Sequence, residues 1–189
     1  MLIWAVLDIA EKIKGIRSHG MTTLTWDRHK GHAYSYDVTE LGYNYRLDEM
    51  RAAIGIEQLK TLGKNYLARK EIVEFYQDML EDLDKVSIPF RNYPNESSYH
   101  LFPILLKSEL DSNRFRERLK EKGIQTSMHY PPIHLFSFYR KKFGYKQGHL
   151  PITEEVGKRE VTLPLHPQLD HRPVKYIVDE IKNILASSF

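Results

Sequence analysis

The chain has 189 residues, of which 41% are hydrophobic and 12% aromatic, a composition that builds a core and excludes a disordered segment. Lys+Arg 28 against Asp+Glu 25 leaves a charge of +3, too balanced for a dedicated nucleic-acid or membrane-surface protein. No apolar run approaches the ~20 residues of a membrane span, and Cys 0 removes disulfides, thiolate chemistry and cysteine zinc sites and suits a reducing cytoplasm.

The chain opens on Met1-Leu-Ile-Trp-Ala-Val-Leu, apolar but with no preceding Lys or Arg and with Asp8 to Glu11 where a cleavage site would lie, so it does not read as a signal peptide. Met1 to Ile3 reads as the stump of a buried strand leading into a helix from about Asp8 to Arg17. Residues 19–45 carry Gly, His, Tyr and Thr without an apolar period and read as a long loop, a length that points to function. Asp48 then caps a helix in which Met50, Ala53, Ile54, Ile56, Leu59 and Leu62 are apolar almost all round, the pattern of burial on several sides. Gly63 suggests a bend. A further helix carries Ile72, Tyr76, Met79, Leu80 and Leu83 on one stripe.

From residue 86 short strands alternate with helices. Val86 to Pro89, Tyr99 to Leu106, Ile124 to His129 and Val161 to Pro164 read as strands, and Phe115 to Lys122 as a helix stopped by Gly123. Asp170 caps the last helix, Pro173 sits in its first turn, and Val174, Ile177, Val178, Ile181 and Leu185 form its buried stripe. The expected fold class is α+β, divided into 1–62, a connecting helix at 63–85, and a small domain at 86–189.

Chemistry concentrates in three clusters. Gly42-Tyr43-Asn44-Tyr45-Arg46 stands directly before a helix start, where a flexible backbone, an amide donor and a guanidinium fork suit a phosphate. It reads equally as a turn whose Arg46 pairs with Glu49. His129-Tyr130-Pro131-Pro132-Ile133-His134 follows a predicted strand and suits hydrogen bonds to a sugar or phosphate. Two histidines without a nearby carboxylate leave zinc under-coordinated, so no metal is expected there or at His29 and His32. Ile16-Arg17-Ser18-His19-Gly20 ends the first helix, and His19 can cap its carbonyls. Tyr34 and Tyr36 lie further along the loop. His100 and His166 sit in apolar stretches and read as core or interface residues. No Gly-x-Ser-x-Gly elbow supports a serine hydrolase.

In order, IRSHG at 16–20, YDVTELGYNYRLDEMRAAIGIEQLKTL at 36–62, SYHLFPILL at 98–106, HYPPIH at 129–134 and LPLHP at 163–167 resemble the DegT/DnrJ/StrS group of pyridoxal-phosphate aminotransferases acting on nucleotide-linked keto-sugars. The resemblance runs from about residue 8 onward and covers the latter part of that family's chain. It implies the C-terminal small domain of a fold-type I aminotransferase together with connecting parts of the large domain. The family's Schiff-base lysine, in Ser-x-x-x-x-Lys, and the glycine pair behind it have no counterpart here, and Trp4 to Leu7 departs from the polar turn expected there. Ser137 to Lys142 fits the lysine motif literally but follows HYPPIH and lacks the glycine pair, so Lys141 and Lys142 read as a solvated helix face.

The resemblance implies Asn44 as the asparagine that reaches the cofactor phosphate of the other subunit, and Arg46 as its neighbour in the site or at the substrate phosphate. It implies that His129, Tyr130 and His134 help line the nucleotide-sugar pocket, and that His19 and Tyr36 flank the loop contributing to a dimer-shared site. No catalytic residue and no metal ligand is assigned. The expected function is a truncated keto-sugar aminotransferase, inactive alone, whose partners are a nucleotide-sugar, an amino donor and a second copy or a completing chain. A half-enzyme completed by a separate cofactor domain, or a non-catalytic nucleotide-sugar-binding or dimerisation module, are the alternatives.

Overall fold

The computed structural model describes residues 2–22, 36–91 and 97–187, with side chains from Asp8 onward in the first helix. His29, His32 and Tyr34 lie outside the described residues. The chain divides into two compact units, residues 1–60 and 61–189.

The first unit begins with α1, Leu2–Arg17, so the strand expected at the amino terminus is a helix. The physical reason is backbone satisfaction: a strand without a neighbour leaves its amides unpaired, whereas a helix bonds them internally. The chain then turns back on itself, pairing Ser18 with Asn44 and Met21 with Val38 in antiparallel bridges. Asp48 caps the next helix, its Oδ1 accepting from the Arg51 amide at 2.9 Å. That helix, α2, runs unbroken over Glu49–Leu80. Gly63 therefore does not interrupt the helix; one glycine weakens a helix by only ~1 kcal/mol, and the hydrogen-bond ladder continues past it. The apolar residues expected to be buried on several sides stand exposed in this chain, Ile54 at 63% and Leu59 at 69%.

The second unit holds a three-stranded antiparallel sheet, β1 (Val86–Ser87), β2 (Phe102–Leu106) and β3 (Glu160–Leu163), in that order. β2 and β3 pair Phe102 with Leu163 and Ile104 with Val161. Alternation puts Phe102, Ile104 and Leu106 inward along β2, as a sheet with one covered face requires. Helices α3 (Ser112–Glu121) and α6 (His171–Ala186) and the second half of α2 supply the rest of the core. The predicted stripe of α6 is buried at all five positions, each aliphatic side chain worth ~1.5–3 kcal/mol. Tyr76 of α2 stacks on Phe102 at 4.8 Å, and its hydroxyl donates to the Pro164 carbonyl at 3.1 Å. Burial pushes that phenol's pKa well up. A 3₁₀ turn at Ile133–Leu135, α4 (Ser137–Phe143) and α5 (Pro151–Arg159) complete the unit.

The strand expected at Ile124 to His129 reduces to one pairing, Ser127 with Thr162 of β3, made by both amides at 3.2 and 2.9 Å. The Pro131–Pro132 turn directly behind it lacks the donors a longer ladder needs. That pairing covers the outer edge of β3, and all four β3 residues are buried. His100 and His166, expected in core or interface, are both exposed in this chain.

Candidate functional site

In the first unit the sequence segments at 15–20 and 40–46 close on each other backbone to backbone. The Tyr43 amide donates to the Ile16 carbonyl at 2.7 Å, the His19 amide to Tyr43 O at 3.0 Å, and the Tyr45 amide to Arg17 O at 3.0 Å. Two glycines make the approach possible. A Cβ on Gly42 would lie 2.1 Å from the Gly20 nitrogen, and one on Gly20, whose φ is +68°, would lie 1.9 Å from the Glu40 carbonyl oxygen. His19 also takes a left-handed φ of +64°, which turns the chain off the end of α1.

This clamp fixes where Asn44 stands. It lies between Tyr43 and Tyr45, whose rings stack at 5.3 Å, four residues before the Asp48 cap of α2. Its carboxamide is exposed and makes no hydrogen bond among the described residues. Opposite it in the bridge, Ser18 is 1% exposed, and its hydroxyl has no partner among them. His19, Tyr36 and Arg46 are exposed on the same unit, and the His19 imidazole makes no hydrogen bond there, so it does not cap α1 through its side chain.

In the second unit His129 and Tyr130 are ring neighbours, edge-on at 4.9 Å, with Tyr130 exposed. The His129 amide donates to Glu160 Oε2 at 3.1 Å, and its Nδ1 lies 3.0 Å from Thr162 Oγ1 and 3.3 Å from Ser127 Oγ. Thr162 Oγ1 also hydrogen-bonds Glu160 Oε1. His134 is separate from that cluster in its bonding. It is buried, with Nε2 2.9 Å from Glu154 Oε1. Both Glu154 oxygens accept the Gly148 amide at 2.9 Å, and Oε1 also accepts the Leu150 amide at 3.3 Å. The Gly148 amide first, then His134, hold the Glu154 carboxyl below the usual carboxylate range. Lys141 and Lys142 stand exposed on α4, the Lys142 ammonium 5.5 Å from the Phe138 and Phe143 rings.

Ser127 and Thr162 escape a motif-based reading because they lie in stretches that read as strands, and Glu154 and Glu160 because they belong to no motif. The available signal is an acid and a threonine, Glu160 and Thr162, at alternate positions of a short apolar strand, since buried polar groups are retained only when paired.

The DegT/DnrJ/EryC1/StrS aminotransferase family pattern matches residues 1–182. The chain belongs to that family. Its curated relatives include an uncharacterised protein of Methanocaldococcus jannaschii, 36% identical over 185 residues, 96% of this chain and 48% of that one. The UDP-4-amino-4,6-dideoxy-N-acetyl-beta-L-altrosamine transaminase of Campylobacter jejuni is 36% identical over 181 residues, 94% of this chain and 46% of its own. Among solved structures, Helicobacter pylori PseC, an aminotransferase of pseudoaminic acid biosynthesis, superposes with a TM-score of 0.84 at 27% identity, covering 96% of this chain and 47% of that one. The chain thus spans about half the length of the curated relatives it matches.

The family's aminotransferases depend on pyridoxal phosphate. In the first unit Asn44 offers that group an amide donor; Lys12, Lys14 and Lys60 are exposed helix residues, and Lys14 and Lys60 pair with Glu11 at 2.6 Å and Glu57 at 2.5 Å. The Asn44 amide fits a phosphate contact. No described helix is long and apolar enough to cross a membrane.

Proposed function

We propose that this chain supplies the C-terminal part of a nucleotide-sugar aminotransferase and that it does not transaminate alone. The supporting observation is the Asn44 carboxamide, exposed and unbonded ahead of α2 on a turn that two glycines clamp to the end of α1. A rigid turn that presents a free amide donor suits a phosphate oxygen, because the donor is held in place before the ligand arrives. Arg46 follows on the same turn and would carry charge to that phosphate or to the substrate's. His19 and Tyr36 flank it in the same unit. In the second unit Tyr130 and His129 offer a phenol and an imidazole to a sugar, while His134 holds the turn through Glu154. The substrate class is a nucleotide-linked keto-sugar, with a separate amino donor.

A second reading, a half-enzyme completed by another chain that brings the cofactor domain, is favoured by the first half of α2. Its exposed Met50, Ile54, Ile56 and Leu59 put large apolar side chains on both sides of the helix, a load that soluble monomers keep covered. Borohydride reduction in the presence of pyridoxal phosphate is the test: the isolated chain should trap no specific lysine. A single modified peptide, at Lys142 or elsewhere, would overturn the claim of inactivity. Co-purification of a second, lysine-bearing subunit from the native source would favour the half-enzyme.

A further inference from the structure

We propose that Glu160 and Thr162 are positioning residues that hold His129 as the Nδ1–H tautomer, leaving its Nε2 as a hydrogen-bond acceptor for a ligand hydroxyl. A threonine hydroxyl has one hydrogen and two lone pairs. In this unit the hydrogen goes to Glu160 Oε1, because a carboxylate only accepts, and Glu160 Oε2 accepts the His129 amide as well. The Thr162 oxygen therefore faces Nδ1 with a lone pair at 3.0 Å. An unprotonated Nδ1 would set lone pair against lone pair, so the proton resides there. Ser127 Oγ lies 3.3 Å from Nδ1, and its hydroxyl can donate or accept, so the closer Thr162 oxygen sets the tautomer.

Glu160 and Thr162 are each 4% exposed, and Arg116 donates to the Glu160 carbonyl at 2.9 Å, so the relay is held in the sheet rather than at a mobile surface. Nε2 has no partner among the described residues. A neutral imidazole nitrogen that accepts selects a donor, such as a sugar or ribose hydroxyl, over an unprotonated phosphate oxygen. That ligand class rests on the proposed function; the tautomer does not.

Nitrogen-15 spectra of the full chain, labelled at histidine and assigned by loss of one signal pair in H129F, read the tautomer directly. Nδ1 is expected at a pyrrole-type shift and Nε2 at a pyridine-type shift at neutral pH. T162S should keep this pattern and T162V should move the proton towards Nε2. A wild-type His129 protonated on Nε2 overturns the proposal, and so does a T162V spectrum like the wild type's. Calorimetry with UDP-N-acetylglucosamine tests the ligand: T162V should bind about five- to tenfold more weakly, the worth of one hydrogen bond, and T162S should match the wild type. Equal affinities in T162V and wild type overturn the hydroxyl assignment. No heat with the wild type overturns the hydroxyl assignment, the functional reading is judged by the borohydride trap, and the tautomer is still decided by the spectra.

Discussion

Replacing Gly42 with alanine should open the clamp that presents Asn44. The added Cβ would sit 2.1 Å from the Gly20 nitrogen, 2.4 Å from the His19 carbonyl carbon and 2.8 Å from the Ile16 oxygen. All three are main-chain atoms, so no side chain can swing aside. Relief requires the two segments to part by about 1–1.5 Å, since non-bonded heavy atoms settle near ~3.5 Å. The rungs from Tyr43, His19 and Tyr45, now 2.7–3.0 Å, would then exceed hydrogen-bond length. At ~0.5–1.5 kcal/mol net for each rung, the local loss is about 2–4 kcal/mol. Amide hydrogen exchange followed by NMR measures this: protection at Tyr43, His19 and Tyr45 in G42A should fall by about thirtyfold or more. Ile104, in the core of the other unit, is the internal control and should not change. Undiminished protection at the three amides would refute the claim that backbone contact at Gly42 holds this turn.

Gly63→Ala should do the opposite of Gly42→Ala: nothing lies within 4 Å of the new methyl in the interior of α2, so urea unfolding should show a gain of ~0.5–1 kcal/mol. Asp170→Ala removes the acceptor for the Arg172 amide at the start of α6 and should lower stability by ~0.5–2 kcal/mol in the same assay. Glu154 has a depressed pKa, so its stabilising contribution is present in full above the ordinary carboxylate range and is lost as pH falls through its own lower value. Unfolding midpoints of the wild type and E154Q should therefore differ at neutral pH and converge only in acid; a gap that widens as pH falls would contradict the assignment.

Much of the second unit is legible in the sequence because local signals there agree with burial. The stripe Val174, Ile177, Val178, Ile181 and Leu185 has a single helical period, its cap at Asp170 precedes it, and the core takes all five side chains. The start of the chain misleads for the converse reason. An apolar run such as Leu2 to Leu7 suits a buried strand or a helix alike, and only the availability of a partner edge decides between them. The same holds for Ile124 to His129, where the pattern permits a strand but the prolines behind it allow one pairing. In α2 the all-round apolar pattern marks a surface meant for cover, yet that cover is not provided within the first unit.

By itself, the order of residues determined the family: GYNYRLDEMRAAIGIEQL and the segments around it resemble that family in sequence, and its pattern matches residues 1–182. It also singled out Asn44, His129 and Tyr130 as candidates, because their chemistry is visible in their identity. Tertiary structure decided what those groups can do. Gly20 and Gly42 are far apart in the chain and meet only when the backbone closes, and His129 acquires a preferred proton position only when β3 brings Glu160 and Thr162 against it. Periodicity and composition report on neighbours along the chain, whereas hydrogen-bond direction and steric contact depend on neighbours in space.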